Sequence, residues 1–196
     1  MALFPQVPLP LHIFEPRYRA MVADALAGDG VIGMALLRPG WERDYYGRPP
    51  VYDRGCAGRI EEHEALPDGR SNIVLRGLTR FRIVEEHAGK PYRLASVSPL
   101  ADSAGETGPV EAARRALMAA IGRGADGPQV LVFKPEVPDE VFVNALSQSL
   151  ALTSLERQSL LECDSVLERY RRLLSILEFR HLEHERGSAS GEPRVH

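Results

Sequence analysis

From Tyr18 the apolar positions recur as Met21, Val22, Ala25 and Leu26, at i, i+3, i+4, i+7 and i+8, the spacing of one buried face of an α-helix. Pro16 suits the first helical position, and Glu15 stands where the positive end of the helix dipole favours an acid. The break Gly28-Asp29-Gly30 ends the run. Upstream, Pro5, Pro8 and Pro10 each fix φ and remove a backbone donor, so the chain through Leu11 is an extended edge or bend. Downstream, Val31 to Leu37 is an apolar run closed by Pro39-Gly40 and reads as a buried strand.

The pattern then shortens. Val51–Asp53, Gly55–Ile60, Ser71–Leu75, Phe81–Val84 and Tyr92–Val97 are short candidate strands whose spacing suits a small barrel. Pro67-Asp68-Gly69 is a turn with a mechanism. Proline presets the first corner and glycine accepts positive φ, so Arg59–Leu66 and Arg70–Arg76 are expected to form a hairpin. Small polar and glycine residues over Ala101–Pro109 mark a linker.

Beyond the linker the period is helical. Val110–Ile121 is an alanine-rich helix, and Pro138-Asp139-Glu140 opens another through Leu150, with Val141, Phe142, Ala145, Leu146 and Leu150 on one face. Thr153-Ser-Leu-Glu156 is a capping box for a short helix. Asp164 is placed to cap a final helix carrying Leu167, Tyr170, Leu174 and Leu177, about 22 residues and ~33 Å long. Gly187 onward lacks apolar periodicity and is expected to be a disordered tail. The expected organisation is thus a β-rich part over 1–100, a helical part over 109–186 and a tail over 187–196.

Composition narrows the classes. The chain has 196 residues, 44% hydrophobic and 26% charged, enough for one good core or two small ones. Its net charge of −3 supplies no global basic field for nonspecific nucleic-acid binding. No apolar run approaches the roughly 20 residues that span a bilayer, and the first residues lack a signal-peptide pattern, so a cytoplasmic location is expected. Cys56 and Cys163 form neither a disulfide framework nor a zinc pattern.

Three ordered blocks resemble one family. Phe4-Pro-Gln-Val-Pro-Leu-Pro-Leu-His-Ile-Phe-Glu-Pro-Arg-Tyr-Arg-Ala-Met-Val resembles the opening of the N-terminal, substrate-recognising domain of Lon proteases. The run from Leu66 to Glu85 is similar to that domain's central hairpin, and Leu152 to Arg169 to its helical region. The segment Leu37 to Tyr52 looks more like short free-standing bacterial relatives than like full-length Lon. The resemblance implies an α+β fold, a PUA-like β pseudobarrel followed by a helical subdomain. It also implies recognition of protein substrates; the leading hypothesis built on it is a module that binds unfolded or specific protein clients, as an adaptor to a protease supplied in trans, with no cofactor.

Full-length Lon adds an ATPase and a serine-lysine protease, yet this sequence contains no Gly-x-x-x-x-Gly-Lys-Ser/Thr phosphate loop. Lysine occurs only at Lys90 and Lys134, both in turn-like surroundings that suit a solvated loop residue. His181 and His184 beside Glu178 and Glu185 have a spacing compatible with a metal, but a solvated helix end, where the dipole favours His⁺, is the commoner reason for such a pattern. Strand alternation separates Glu61 and His63 from Glu62 and Glu64, and His12 has no nucleophile placed beside it. No catalytic or metal-binding set is therefore expected, and a binding module is the reading.

Two surfaces are candidates for that binding. Trp41, Tyr45, Tyr46 and Tyr52 crowd together with Arg38, Arg43, Arg48 and Arg54, and Tyr, Trp and Arg dominate protein interfaces. The loop either docks a partner or folds Trp41 and Tyr52 back on the barrel. Phe14, Tyr18 and Met34 either line an apolar groove between barrel and helices or belong to a closed core. An alternative function is RNA binding, since rings stack on bases and arginine meets phosphate. An exposed cluster of the four arginines on one face favours RNA, whereas an apolar groove without that rim favours polypeptide.

Overall fold

The computed structural model describes residues 2–103, 107–123 and 137–189. In chain order the elements are β1 (Pro8–Ile13), α1 (Pro16–Leu26), β2 (Val31–Met34), a 3-10 turn (Trp41–Asp44), β3 (Arg54–Ala65), β4 (Ser71–His87), β5 (Leu94–Leu100), α2 (Thr107–Arg123), α3 (Asp139–Ser149), α4 (Ser154–Leu161) and α5 (Val166–Ala189). The α+β class, a pseudobarrel sheet followed by helices, is the one observed. By packing the chain divides into residues 1–101 with 144–162, and residues 102–143 with 163–196. Thus α4 and the second half of α3 group with the strands, although the sequence reading draws its boundary at the linker after residue 100.

In the first unit an antiparallel sheet runs β1-β4-β3-β2, with β5 also on β4. The 17-residue β4 carries β3 along one edge, while β1 and β5 share the other end to end, opposite Ser71–Arg76 and Arg80–His87 respectively. Register shifts at Ala57/Gly58, Ile60/Glu62 and Ile83/Glu85 are bulges, and bulges bend strands instead of ending them. That is why pieces the sequence reads as separate strands join into β3 and β4. Two other expected strands are shorter than read: Val51 makes only an isolated bridge to Leu37, and β2 stops at Met34. The Pro67-Asp68-Gly69 hairpin forms as expected, with Ala65 opposite Ser71, Gly69 at φ +79° and the Gly69 N–H donating to Leu66 O at 2.9 Å.

Prolines fit β1 because of its phase. Gly77 donates to Val7 O at 3.1 Å, so odd positions bond β4 and the missing donors of Pro8 and Pro10 face the open edge. Beneath the sheet lie Leu3, Phe4, Cys56 and Leu75, none of them exposed to solvent. The helical piece of this unit is fastened by polar groups. Asn144 Nδ2 donates to Pro5 O at 3.1 Å and Gln158 Nε2 to Arg54 O at 3.0 Å. At the carboxyl end of α4, Arg80 Nη1 donates to Leu161 O at 3.0 Å and Arg54 donates to Glu162 O. Carbonyls there lack helical partners, and cationic donors suit the negative end of the dipole. At its other end the expected capping box is present, Glu156 N–H donating to Thr153 Oγ1 at 3.2 Å and Thr153 N–H to Glu156 Oε2 at 2.6 Å.

In the second unit α2 and α5 pack together. The cap of α5 differs from expectation. Ser165 Oγ, not Asp164, accepts the Glu168 N–H at 3.1 Å, while the Glu168 carboxylate reaches back to the Asp164 N–H at 2.9 Å. Tyr170 donates to Asp139 Oδ1 at 2.9 Å, Arg114 donates to the same oxygen at 3.1 Å, and Phe142 stacks on Tyr170 at 6.4 Å. Burial and then the bond to Asp139 push the Tyr170 hydroxyl well above its ordinary pKa. Arg169, fully buried, is held by both oxygens of Asp102 at 2.9 and 3.2 Å. Of the expected tail, α5 takes in residues through Ala189 and the rest lies outside the described residues.

Candidate functional site

The first turn of α1 organises the aromatic residues of the Trp41–Asp44 region. Glu15 precedes the helix with extended φ/ψ, and Pro16 starts it, so Arg17 and Tyr18 project from a fixed first turn. The Arg17 guanidinium lies 4.7 Å from the Tyr18 ring centre and 4.8 Å from that of Tyr45. It donates to Glu15 Oε2 at 2.9 Å and to Tyr45 O at 3.3 Å, while the Tyr45 hydroxyl donates to the other Glu15 oxygen. That bond, followed by burial, raises the Tyr45 pKa. Trp41 packs at 5.3 Å from Tyr45, tilted, and Tyr46 meets Tyr45 edge-on at 5.2 Å. Such tilted and edge arrangements satisfy the ring quadrupoles.

Exposure sorts these rings. Tyr18, Trp41 and Tyr45 are half-buried, whereas Tyr46 is 90% exposed. The aromatic loop is therefore neither wholly solvated nor folded away: it forms a platform with one ring standing out. Of the other expected site residues, Tyr52 is half-buried beneath Arg38 at 5.2 Å, and Met34 is half-buried on β2 opposite Cys56. Phe14 is 59% exposed and stacks on His12 at 6.2 Å. Phe14 is thus surface, not closed core. Sequence reading missed Glu15 and Arg17 as members of the group, having assigned Glu15 only a dipole role. No local signal marks them, because Tyr45 lies 28 residues along the chain from Arg17.

Three arginines of the loop donate to backbone carbonyls. Arg38 Nε donates to Val51 O at 3.0 Å, Arg48 Nη1 to His87 O at 3.4 Å, and Arg54 to Glu162 O. Arg93 donates to Pro49 O, and also to Glu86 at 2.8 and 3.0 Å. Together with Arg17 on Tyr45 O, these bonds tie the loop at both ends to α1 and to the β4/β5 pair. Arg54, half-buried, is directed at a helix end, whereas Arg38, Arg43 and Arg48 are exposed, so the four arginines do not act as one exposed set.

A second group crosses the sheet near Phe14. Register sets His12 and Glu64 on either side of Asn72. Asn72 Nδ2 donates to Glu64 Oε2 at 2.8 Å, which leaves Asn72 Oδ1 as acceptor for His12 Nδ1–H, also at 2.8 Å. With Pro10, Glu62 and Val74 these residues line a concavity of about 500 Å³. Elsewhere, Lys90 Nζ contacts Asp24 Oδ2 at 2.9 Å on the surface, and its bond, with that of Tyr92, lowers the Asp24 pKa. Lys134 and the side chains of His184 and Glu185 lie outside what the structure describes, and among the described residues no group of three His, Cys, Asp or Glu side chains could hold a metal. No described helix is long and apolar enough to cross a membrane.

Residues 1–178 match the family model described as the ATP-dependent protease La (LON) substrate-binding domain. Among curated proteins, the Lon protease of Cytophaga hutchinsonii is 26% identical over 190 residues, 91% of this chain. Lon protease 1 of Herpetosiphon aurantiacus is 30% identical over 146 residues, 74% of this chain. This chain spans only 23% and 17% of those two proteins. Among solved structures, a Lon N-terminal domain protein from Xanthomonas campestris has a TM-score of 0.59 at 24% identity, covering 89% of this chain and 92% of that one. The N-terminal domain of Mycobacterium avium complex Lon protease has a TM-score of 0.65 at 18% identity, covering 90% and 92%. These likenesses establish the fold.

Proposed function

Because the chain belongs to the ATP-dependent protease La (LON) substrate-binding domain family, we propose that it is a non-catalytic module that binds exposed apolar stretches of protein clients and presents them to a protease. The observation carrying this reading is the aromatic platform of Tyr18, Trp41, Tyr45 and Tyr46, held in place by arginine bonds to backbone carbonyls. Rigid aromatic anchors lose little side-chain freedom on binding, so more of the buried apolar area appears as affinity. Phe14, exposed and stacked on His12, offers a further apolar ring one residue before Glu15.

The test is fluorescence anisotropy of the purified protein with a labelled, reduced and alkylated polypeptide and with a labelled single-stranded RNA, at low and moderate salt. Polypeptide binding that changes little with salt is expected. Tyr46→Ala and Trp41→Ala are each expected to weaken it about tenfold, the scale of a modest interface anchor. RNA binding that falls steeply with salt, or alanine variants that bind polypeptide like the parent, would overturn the reading.

A further inference from the structure

We infer that Arg17 is the positioning residue of the aromatic platform: its guanidinium, clamped between Tyr18 and Tyr45, sets the ring geometry that a client meets. The inference rests on the function proposed above and adds to it the residue that pre-forms the site. Arg17 makes four separate contacts there. It faces the Tyr18 and Tyr45 rings at 4.7 and 4.8 Å, donates from Nε to Glu15 at 2.9 Å, and donates from Nη1 to Tyr45 O at 3.3 Å. Three of these fix Tyr18 or Tyr45 directly. The fourth fixes Glu15, which in turn accepts the Tyr45 hydroxyl. Side chain and backbone of Tyr45 are therefore both referred to one planar cation.

Tyr45 is also the hub of the exposed rings, since Trp41 and Tyr46 each pack on it. Moving Tyr45 moves both. A lysine keeps the charge at this position but lacks the flat fork that can stack on two rings while donating sideways to a carboxylate and a carbonyl. The chemistry required is thus guanidinium, not positive charge alone. Arg17 is itself largely covered, with 22% of its side chain exposed, so it shapes the platform from beneath while Tyr46 offers the contact surface.

Trp41 is the only tryptophan, which makes its fluorescence emission and near-ultraviolet circular dichroism a direct reading of the platform. Arg17→Met and Arg17→Lys are to be compared with the parent for that signal, for anisotropy with the labelled reduced and alkylated polypeptide, and for Tm. Both variants are expected to shift the Trp41 signal and weaken polypeptide binding about tenfold, the scale of a lost cation–π contact together with a charged hydrogen bond. Tm should stay within about 3 °C, since the site lies at the surface. An unchanged Trp41 signal with unchanged affinity overturns the inference, as does full recovery of both in Arg17→Lys. If Arg17→Met fails to fold, the lysine variant decides. If the parent binds no polypeptide, the proposed function falls while the Trp41 signal still tests the positioning.

Discussion

Asp102→Ala is expected to lower the stability of the helical unit by about 3–5 kcal/mol, because it strips a fully buried guanidinium of the carboxylate that faces it. Both Asp102 oxygens meet Arg169, at 2.9 and 3.2 Å, and only 13% of the Asp102 side chain is exposed. A pair of this kind gains from its bidentate geometry, since the planar fork matches the carboxylate. Its removal by halves is more damaging than its removal whole. Arg169→Met, which replaces the charge by an apolar side chain of similar length, is therefore expected to cost less than Asp102→Ala, and the double variant to recover part of the loss. Urea unfolding followed by circular dichroism measures all three. A loss below about 1 kcal/mol for Asp102→Ala would place the pair among weak surface ion pairs, contrary to its burial.

What could be read from the sequence was what local physics determines. The α1 helix, the Pro67-Asp68-Gly69 hairpin and the Thr153 capping box each depend on residues a few positions apart, and each forms as expected, although on the expected buried face of α1 only Val22 is buried and Leu26 is 44% exposed. Where the outcome depended on distant pairing, the reading stopped short. Whether Ser71–Leu75 and Phe81–Val84 are two strands or one is decided by bulges, which depend on what lies opposite them in β3 and β5. Asp164 and Ser165 are both good caps, and the geometry of the preceding loop chooses between them. The aromatic loop was legible as composition, but its order was not. Arg17 and Tyr45 are 28 residues apart, and nothing local announces that a helix-start arginine will lie between two tyrosines. For the same reason the arginines of the loop read as interface or RNA contacts, whereas in the folded chain Arg38, Arg48 and Arg54 hold backbone carbonyls.

Gly77→Ala is the other substitution expected to act strongly, at about 1–3 kcal/mol and toward the upper end of that range. A Cβ at Gly77 would fall 2.0 Å from Phe4 O, 2.7 Å from Phe4 C and 3.0 Å from Pro5 Cα. These are backbone atoms, so no rotamer change relieves the clash. The segment is also tied there, Gln6 N–H donating to Gly77 O at 2.9 Å and Gly77 N–H to Val7 O at 3.1 Å. Moving it drags Leu3 and Phe4, both fully buried, out of their seats beneath the sheet. Gly69→Ala supplies the contrast: its positive φ of +79° carries a backbone strain of about 1 kcal/mol, but its nearest neighbour is the far end of the Arg19 side chain, which can swing away. Urea midpoints should therefore rank parent, Gly69→Ala, Gly77→Ala. Because the displaced segment continues directly into β1 and from there to Phe14, Glu15 and Arg17, Gly77→Ala should also shift the Trp41 emission in the native baseline, whereas Gly69→Ala should leave it unchanged. Equal midpoints for Gly77→Ala and the parent would mean that the amino-terminal segment does not lie against β4.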